Sequence, residues 1–131
     1  MKKNRIEGQK SKMLTDVELE LMTILWRIGE GSMAGFMAEL PDGRDLAYTS
    51  VSTILRILEQ KKILKTRKEG RGHIYIPLLS KSDYEAKTVM HIVENVFEGA
   101  PVTLIRTLLD TVNLKDDELE EIRQIISKNR K

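Results

Sequence analysis

Residues 48–77 contain a change of hydrophobic period, from helical to extended, and it restricts the possible folds more than any other feature of the chain. Val51, Ile54, Leu55 and Leu58 repeat at 0, 3, 4 and 7, which predicts an amphipathic helix from about Tyr48 to Lys61. Two short strand-like runs follow, Ile63 to Lys68 and His73 to Pro77. They flank Glu69-Gly70-Arg71-Gly72, which reads as a hairpin with a glycine turn, and Pro77 stops the second strand.

Two further helices are expected before this segment. Leu14-Thr15-Asp16-Val17-Glu18 is a helix start in which Thr15 caps, Glu18 completes a capping box and Leu14 staples onto the first turn. Val17, Leu21, Ile24, Leu25 and Ile28 share one face, so this helix runs to about Gly29. Trp26 lies off that stripe and is left to pack against the rear of the chain or a neighbouring loop. Ser32 can cap a short second helix containing Phe36, Met37 and Leu40, which Pro41-Asp42-Gly43 ends. After the hairpin everything reads as helix. Ser82-Asp83-Tyr84-Glu85 forms a second capping box, Pro101 suits the first position of the next helix, and the last runs from about Lys115 to Lys128. The expected domains are a flexible basic arm over residues 1–13, a three-helix-plus-hairpin unit over 14–79 and a three-helix unit over 80–131.

The fold class is therefore mainly α with a small β-hairpin, in the order of a winged helix-turn-helix followed by a helical dimerisation region. That order places the helix from Tyr48 in position to enter a DNA major groove. Its outer face supports the idea. Thr49, Ser50, Ser52, Thr53 and Arg56 lie there, and short hydroxyl side chains permit close approach, bond phosphates or base edges and offer methyls to thymine. A merely solvated face more often carries Glu, Lys and Gln. Charge concentrates just beyond. Arg56 to Arg71 holds seven basic residues against two acids, and Arg67, Lys68 and Arg71 fall near the hairpin tip, where a wing straddles phosphates or enters the minor groove. His73, on the second strand, is a further phosphate contact. Surface hairpins also carry Lys and Arg simply to protect their edges, and that reading stands beside the first.

The charge balance agrees with a divided molecule. Residues 1–81 hold 15 Lys/Arg against 10 Asp/Glu, or +5, and residues 82–131 hold 7 against 10, or −3. A basic front half is fitted to a polyanion. The rear helices carry aliphatic stripes: Val89, Ile92, Val93 and Val96; then Leu104, Ile105, Leu108 and Leu109; then Leu119, Ile122, Ile125 and Ile126. Three short helices do not bury such stripes alone, so pairing with a second copy is expected, the alternative being that they fold back onto the front half as one core.

Other chemistry is not legible. There is no cysteine, so disulfides, thiol catalysis and thiolate metal sites are excluded. His73 and His91 have no partners at metal-binding spacing, and Asp116-Asp117-Glu118-Glu120-Glu121 reads as a solvated helix start. No phosphate-binding glycine loop or nucleophile elbow occurs, so no enzyme activity, metal or cofactor is expected. No apolar run is long enough to span a membrane, and Gly8-Gln9-Lys10-Ser11-Lys12 stands where a signal peptide would be apolar, so a cytoplasmic protein without a membrane partner is expected.

Leu14 to Met22, Leu25-Trp26, Ala47-Tyr48-Thr49-Ser50-Val51-Ser52-Thr53-Ile54-Leu55, and Lys68-Glu69-Gly70-Arg71-Gly72 with Tyr75 and Pro77, taken together and in this order, resemble the BlaI/MecI/CopY family of penicillinase and methicillin-resistance repressors. The resemblance implies a sequence-specific repressor that binds a two-fold operator as a homodimer, its rear helices interlocked. It implies no single release chemistry. Thr107-Leu108 stands where β-lactam-sensing members carry a cleaved Asn-Phe bond, and the paired C-terminal cysteines of copper-responsive members are absent. The operator, the regulated genes, the inducer and any sensor protease are not written in the chain. A winged-helix module that binds protein instead of specific DNA is the alternative reading.

Overall fold

The structure, a computed structural model, describes residues 13–129. All but the last residue of the expected basic arm lie outside that range; Met13 itself packs against the core. The chain divides into two compact units, one ending at His91 and the other beginning at Ile92.

The first unit opens with α1, Asp16–Ile28. Thr15 caps it as the sequence indicates. The Glu18 amide donates to Thr15 Oγ1 at 3.2 Å, and Glu18 Oε1 accepts from the Thr15 amide at 2.9 Å. Gly29, at φ 89°, ends the helix with its N–H on the Leu25 carbonyl. The short α2, Met33–Glu39, is capped by Ser32, whose hydroxyl accepts from the Gly35 amide at 3.2 Å. Next comes α3, Tyr48–Gln60, burying Val51, Leu55 and Leu58. Its end is a Schellman turn: Ile63 N–H bonds Leu58 O and Lys62 N–H bonds Glu59 O, with Lys62 at φ 64° and both Leu58 and Ile63 buried.

Strands β1, Leu64–Glu69, and β2, Gly72–Pro77, pair antiparallel from Leu64 with Pro77 to Glu69 with Gly72. Thr66 and Tyr75 face each other on the inner side, where Tyr75 meets Phe36 edge-to-face at 5.8 Å. On the free edge of β2, Gly31 exchanges two backbone bonds with Tyr75, of 2.7 and 3.1 Å. The α1–α2 loop is thereby fastened to the hairpin. Leu21, Met22, Leu25, Phe36, Val51, Leu55, Leu58 and Leu64 form a core with at most 1% exposure, each contributing about 1.5–3 kcal/mol by burial.

Trp26 packs against the segment that follows the hairpin. Its Nε1–H donates to Leu79 O at 2.8 Å, and its ring lies 5.8 Å from that of Tyr84. Tyr84 belongs to α4, Lys81–Asn95, and its hydroxyl accepts the Leu14 N–H. The cap of α4 differs from the expected Ser82 box. Ser80 Oγ accepts from the Asp83 amide at 3.0 Å, so the helix starts at Lys81, and Ser82 lies inside its first turn.

The second unit contains the end of α4, then α5, Pro101–Thr111, and α6, Asp116–Lys128. Pro101 opens α5 as expected. Glu118 accepts from the Lys115 amide at 2.9 Å to begin α6. Val93 is buried, but neither α5 nor α6 buries any residue. None of the described helices is long and apolar enough to cross a membrane.

Candidate nucleic-acid interface

Helix α3 is held by one face, which leaves the other free. Burial of Val51, Leu55 and Leu58 turns Thr49, Ser50, Thr53 and Arg56 outward, exposed, while Ser52 is half-buried. Thr49, Ser50 and Thr53, with Ile54, line a shallow hollow of about 330 Å³. Four of the five residues assigned to this face from sequence are thus fully available, three of them around one depression.

The fifth, Ser52, joins the hairpin. A second cleft of about 330 Å³ lies between α3 and β2, and Ser52, Arg71 and His73 line it together. Lys68 is the cross-strand partner of His73 and so stands on the same side of the hairpin. Ser32 and Tyr48 also border this cleft. In the sequence Ser32 reads as a cap and Tyr48 as the start of a helix. The available signal was Tyr48 itself, an aromatic residue adjoining a hydroxyl run at the start of α3; it is 57% exposed.

Arg67 faces elsewhere. It pairs with Ile74, on the opposite side of the hairpin from Lys68 and His73, and Nη2 reaches Glu30 Oε1 at 2.9 Å and Glu69 Oε1 at 3.5 Å. The hydrogen bond to Glu30, then its charge, then Glu69 hold this guanidinium more firmly protonated than usual. Three other cations of the first unit are engaged as well. Lys61 bonds Glu18, Arg44 grips Glu20 through two bonds of 2.8 and 3.0 Å, and Arg27 meets Glu39. Arg56, Lys62, Lys65, Lys68 and Arg71 have no ion pair among the described residues. The basic stretch read from the sequence therefore resolves into carboxylate-bound cations and uncommitted ones, and the uncommitted ones lie along α3 and the hairpin. This is the pattern a polyanion needs, because a cation without an internal partner gives up less on meeting phosphate.

No group of three or more His, Asp or Glu suited to a metal occurs among the described residues. The one buried carboxylate among the described residues, Glu18, is spent on a helix cap and on Lys61.

Comparison with known proteins gives the same outline. The chain is 26% identical over 119 residues to the methicillin resistance regulatory protein MecI of Mammaliicoccus sciuri, covering 91% of this chain and 97% of that one. It is 27% identical over 125 residues to the penicillinase repressor of Bacillus licheniformis, covering 94% and 98%. The solution structure of the DNA binding domain of the repressor BlaI superposes with a TM-score of 0.50 at 30% identity, over 55% of this chain and 88% of that domain. The family model described as penicillinase repressor matches residues 14–128. The chain belongs to the penicillinase repressor family.

Proposed function

We propose that this protein is a transcriptional repressor that binds duplex DNA through α3 and the hairpin, working in the cytoplasm as a homodimer on a two-fold operator. The observation that carries the reading is the adjacency of two surfaces: the hydroxyl face of α3 and a hairpin whose Arg71 and His73 line the same cleft as Ser52, with Lys68 paired to His73 on that side. Membership of a repressor family supports it.

In this reading Thr49, Ser50, Ser52, Thr53 and Arg56 enter the major groove, and Lys68, Arg71 and His73 meet phosphates or the adjoining minor groove. Arg67 belongs to the same wing but shares its charge with Glu30 and Glu69. The rear helices form the dimer through Val89, Ile92, Val93, Val96, Leu104, Ile105, Leu108, Leu109, Leu119, Ile122, Ile125 and Ile126. Eight of these twelve are exposed in the single chain, Val96 at 65%, which supports a missing apolar partner. Two-fold pairing sets the two α3 helices against successive major grooves, about 34 Å apart. The molecule so read is no enzyme; it needs neither metal nor cofactor to bind DNA.

The test is binding to a random-sequence duplex across a salt series. A steep linear fall of log affinity with log salt is expected. Failure to bind at low salt defeats the proposal and leaves the winged helix as a protein-binding module.

A further inference from the structure

On the side formed by α1 and the start of α4 lies an apolar hollow of about 320 Å³. Leu19, Trp26, Tyr84 and Val89 give it its apolar surface, and Thr23 and Thr88 stand at its border. Its size falls at the lower end of the range for small-molecule sites. Both aromatic rings have their polar atoms engaged elsewhere, Trp26 Nε1 on Leu79 O and the Tyr84 hydroxyl on the Leu14 amide, and so they present carbon surface to it. A second hollow of about 290 Å³ adjoins it, sharing Thr23, Trp26 and Lys81 and adding Arg27. Lys81 has no ion pair among the described residues, and Arg27 is bound to Glu39 at 3.1 Å. Glu85 borders the apolar hollow but not the basic one.

An apolar trough with an uncommitted ammonium where it meets a basic recess matches one chemical class. We propose that the joined hollows bind a small amphipathic acid, its apolar body against Trp26, Tyr84 and Leu19 and its carboxylate at Lys81. The site shares no residue with the surface assigned to DNA and only Val89 with the stripe assigned to the dimer, so its occupancy is measured with DNA absent and is read separately from DNA binding. Charge complementarity argues for an acid, because an apolar body alone leaves Lys81 without a counter-ion.

Trp26 is the sole tryptophan of the chain, so its emission reports on the hollow directly. The full-length protein is titrated with 4-phenylbutyrate and, in parallel, with the neutral 4-phenylbutanamide. A saturable change in Trp26 emission is expected with the acid, with the amide about tenfold weaker. Lys81→Gln is expected to weaken the acid about tenfold and to leave the amide unchanged. Thr23→Phe, checked for helicity by circular dichroism, fills the shared wall and abolishes both responses. Equal affinity for acid and amide overturns the proposal, as does a Lys81→Gln protein that binds the acid like the parent. Emission that shifts with protein concentration alone, and then no longer responds to the acid, overturns it in favour of a second copy as the occupant.

Discussion

Arg67 in β1 and Glu30 in the α1–α2 loop are joined across the outer face of the hairpin, Nη2 to Oε1 at 2.9 Å. The neighbouring Gly31 is itself stitched to β2 by two backbone bonds, so the ion pair and those bonds tie the same loop to the wing. A cation that the sequence places among phosphate ligands is thus held by a carboxylate. Glu30→Gln is expected to release Arg67, strengthening low-salt binding to duplex DNA several-fold and steepening the salt slope by up to about one. Fluorescence anisotropy across a salt series reads both quantities. A slope that flattens in Glu30→Gln would show that the pair positions the wing and that Arg67 contributes no charge of its own.

Arg71 and Thr53 separate affinity from specificity. Arg71 is exposed near the hairpin tip without an ion pair among the described residues, whereas Thr53 stands in the hollow on α3. Arg71→Ala is expected to weaken binding to all sequences and to reduce the salt slope by about one. Thr53→Ala is expected to keep the slope and relax preference at one or two base pairs, by about 1–3 kcal/mol. Sequencing of duplexes selected from a random pool measures the second effect. Uniform weakening by Thr53→Ala sinks its assignment to base readout.

Glu18 joins the start of α1 to the end of α3. It is 5% exposed, accepts from the Thr15 amide at 2.9 Å and from Lys61 Nζ at 2.8 Å. Burial pushes its pKa up, but the Lys61 ammonium and the Thr15 N–H outweigh burial and hold it below the ordinary 4.5. A carboxyl depressed by folding stabilises the fold above its unfolded pKa, and that contribution is lost as pH falls through the folded value. Denaturant melts of the parent are therefore expected to weaken below about pH 4.5. Glu18→Gln is expected to cost about 1–3 kcal/mol at neutral pH and to remove part of that acid dependence. An unchanged acid profile in Glu18→Gln refutes the linkage.

What the sequence discloses here depends on the distance over which a residue finds its partner. The Thr15–Glu18 box spans three positions and is legible as a local pattern, as are the Ser32 cap, the Pro101 start and the change of period at Ile63. Arg67 and Glu30 stand 37 positions apart, Glu18 and Lys61 43, and Trp26 and Leu79 53; only the fold brings each pair together. For the same reason the outer face of α3 was readable from helical spacing alone, while the division of cations into engaged and free was not. Ser80 supplants Ser82 as the cap of α4 because both hydroxyls lie near the same turn, and sequence spacing does not distinguish them.

Lys62 carries the turn after α3 at φ 64°, a conformation that costs a residue with a Cβ. Its backbone N–H is used in the Schellman turn, but no ion pair among the described residues holds its side chain. Lys62→Gly is therefore expected to stabilise the first unit by about 0.5–1 kcal/mol, read as a higher denaturation midpoint at unchanged m-value. A lower midpoint shows that the extra unfolded-state freedom of glycine outweighs the relief of turn strain.

The rear helices allow the sharpest test of assembly, because their apolar residues are exposed already. Ile105 is 46% and Leu108 45% exposed in the single chain. If the chain is complete alone, a charge at either position costs no more than about 0.5 kcal/mol, as surface changes do. If these residues meet a second copy, each two-fold contact receives the new charge twice and a carboxylate is buried without a partner. Ile105→Asp is expected to convert a dimer into monomers in sedimentation velocity while the circular dichroism of the first unit persists. DNA binding is then expected to fall steeply, since two α3 helices joined in one particle engage their half-sites at high effective concentration and separate ones do not. A parent chain that sediments as a monomer at every concentration removes the homodimer from the proposal but leaves the DNA-binding face of α3 intact.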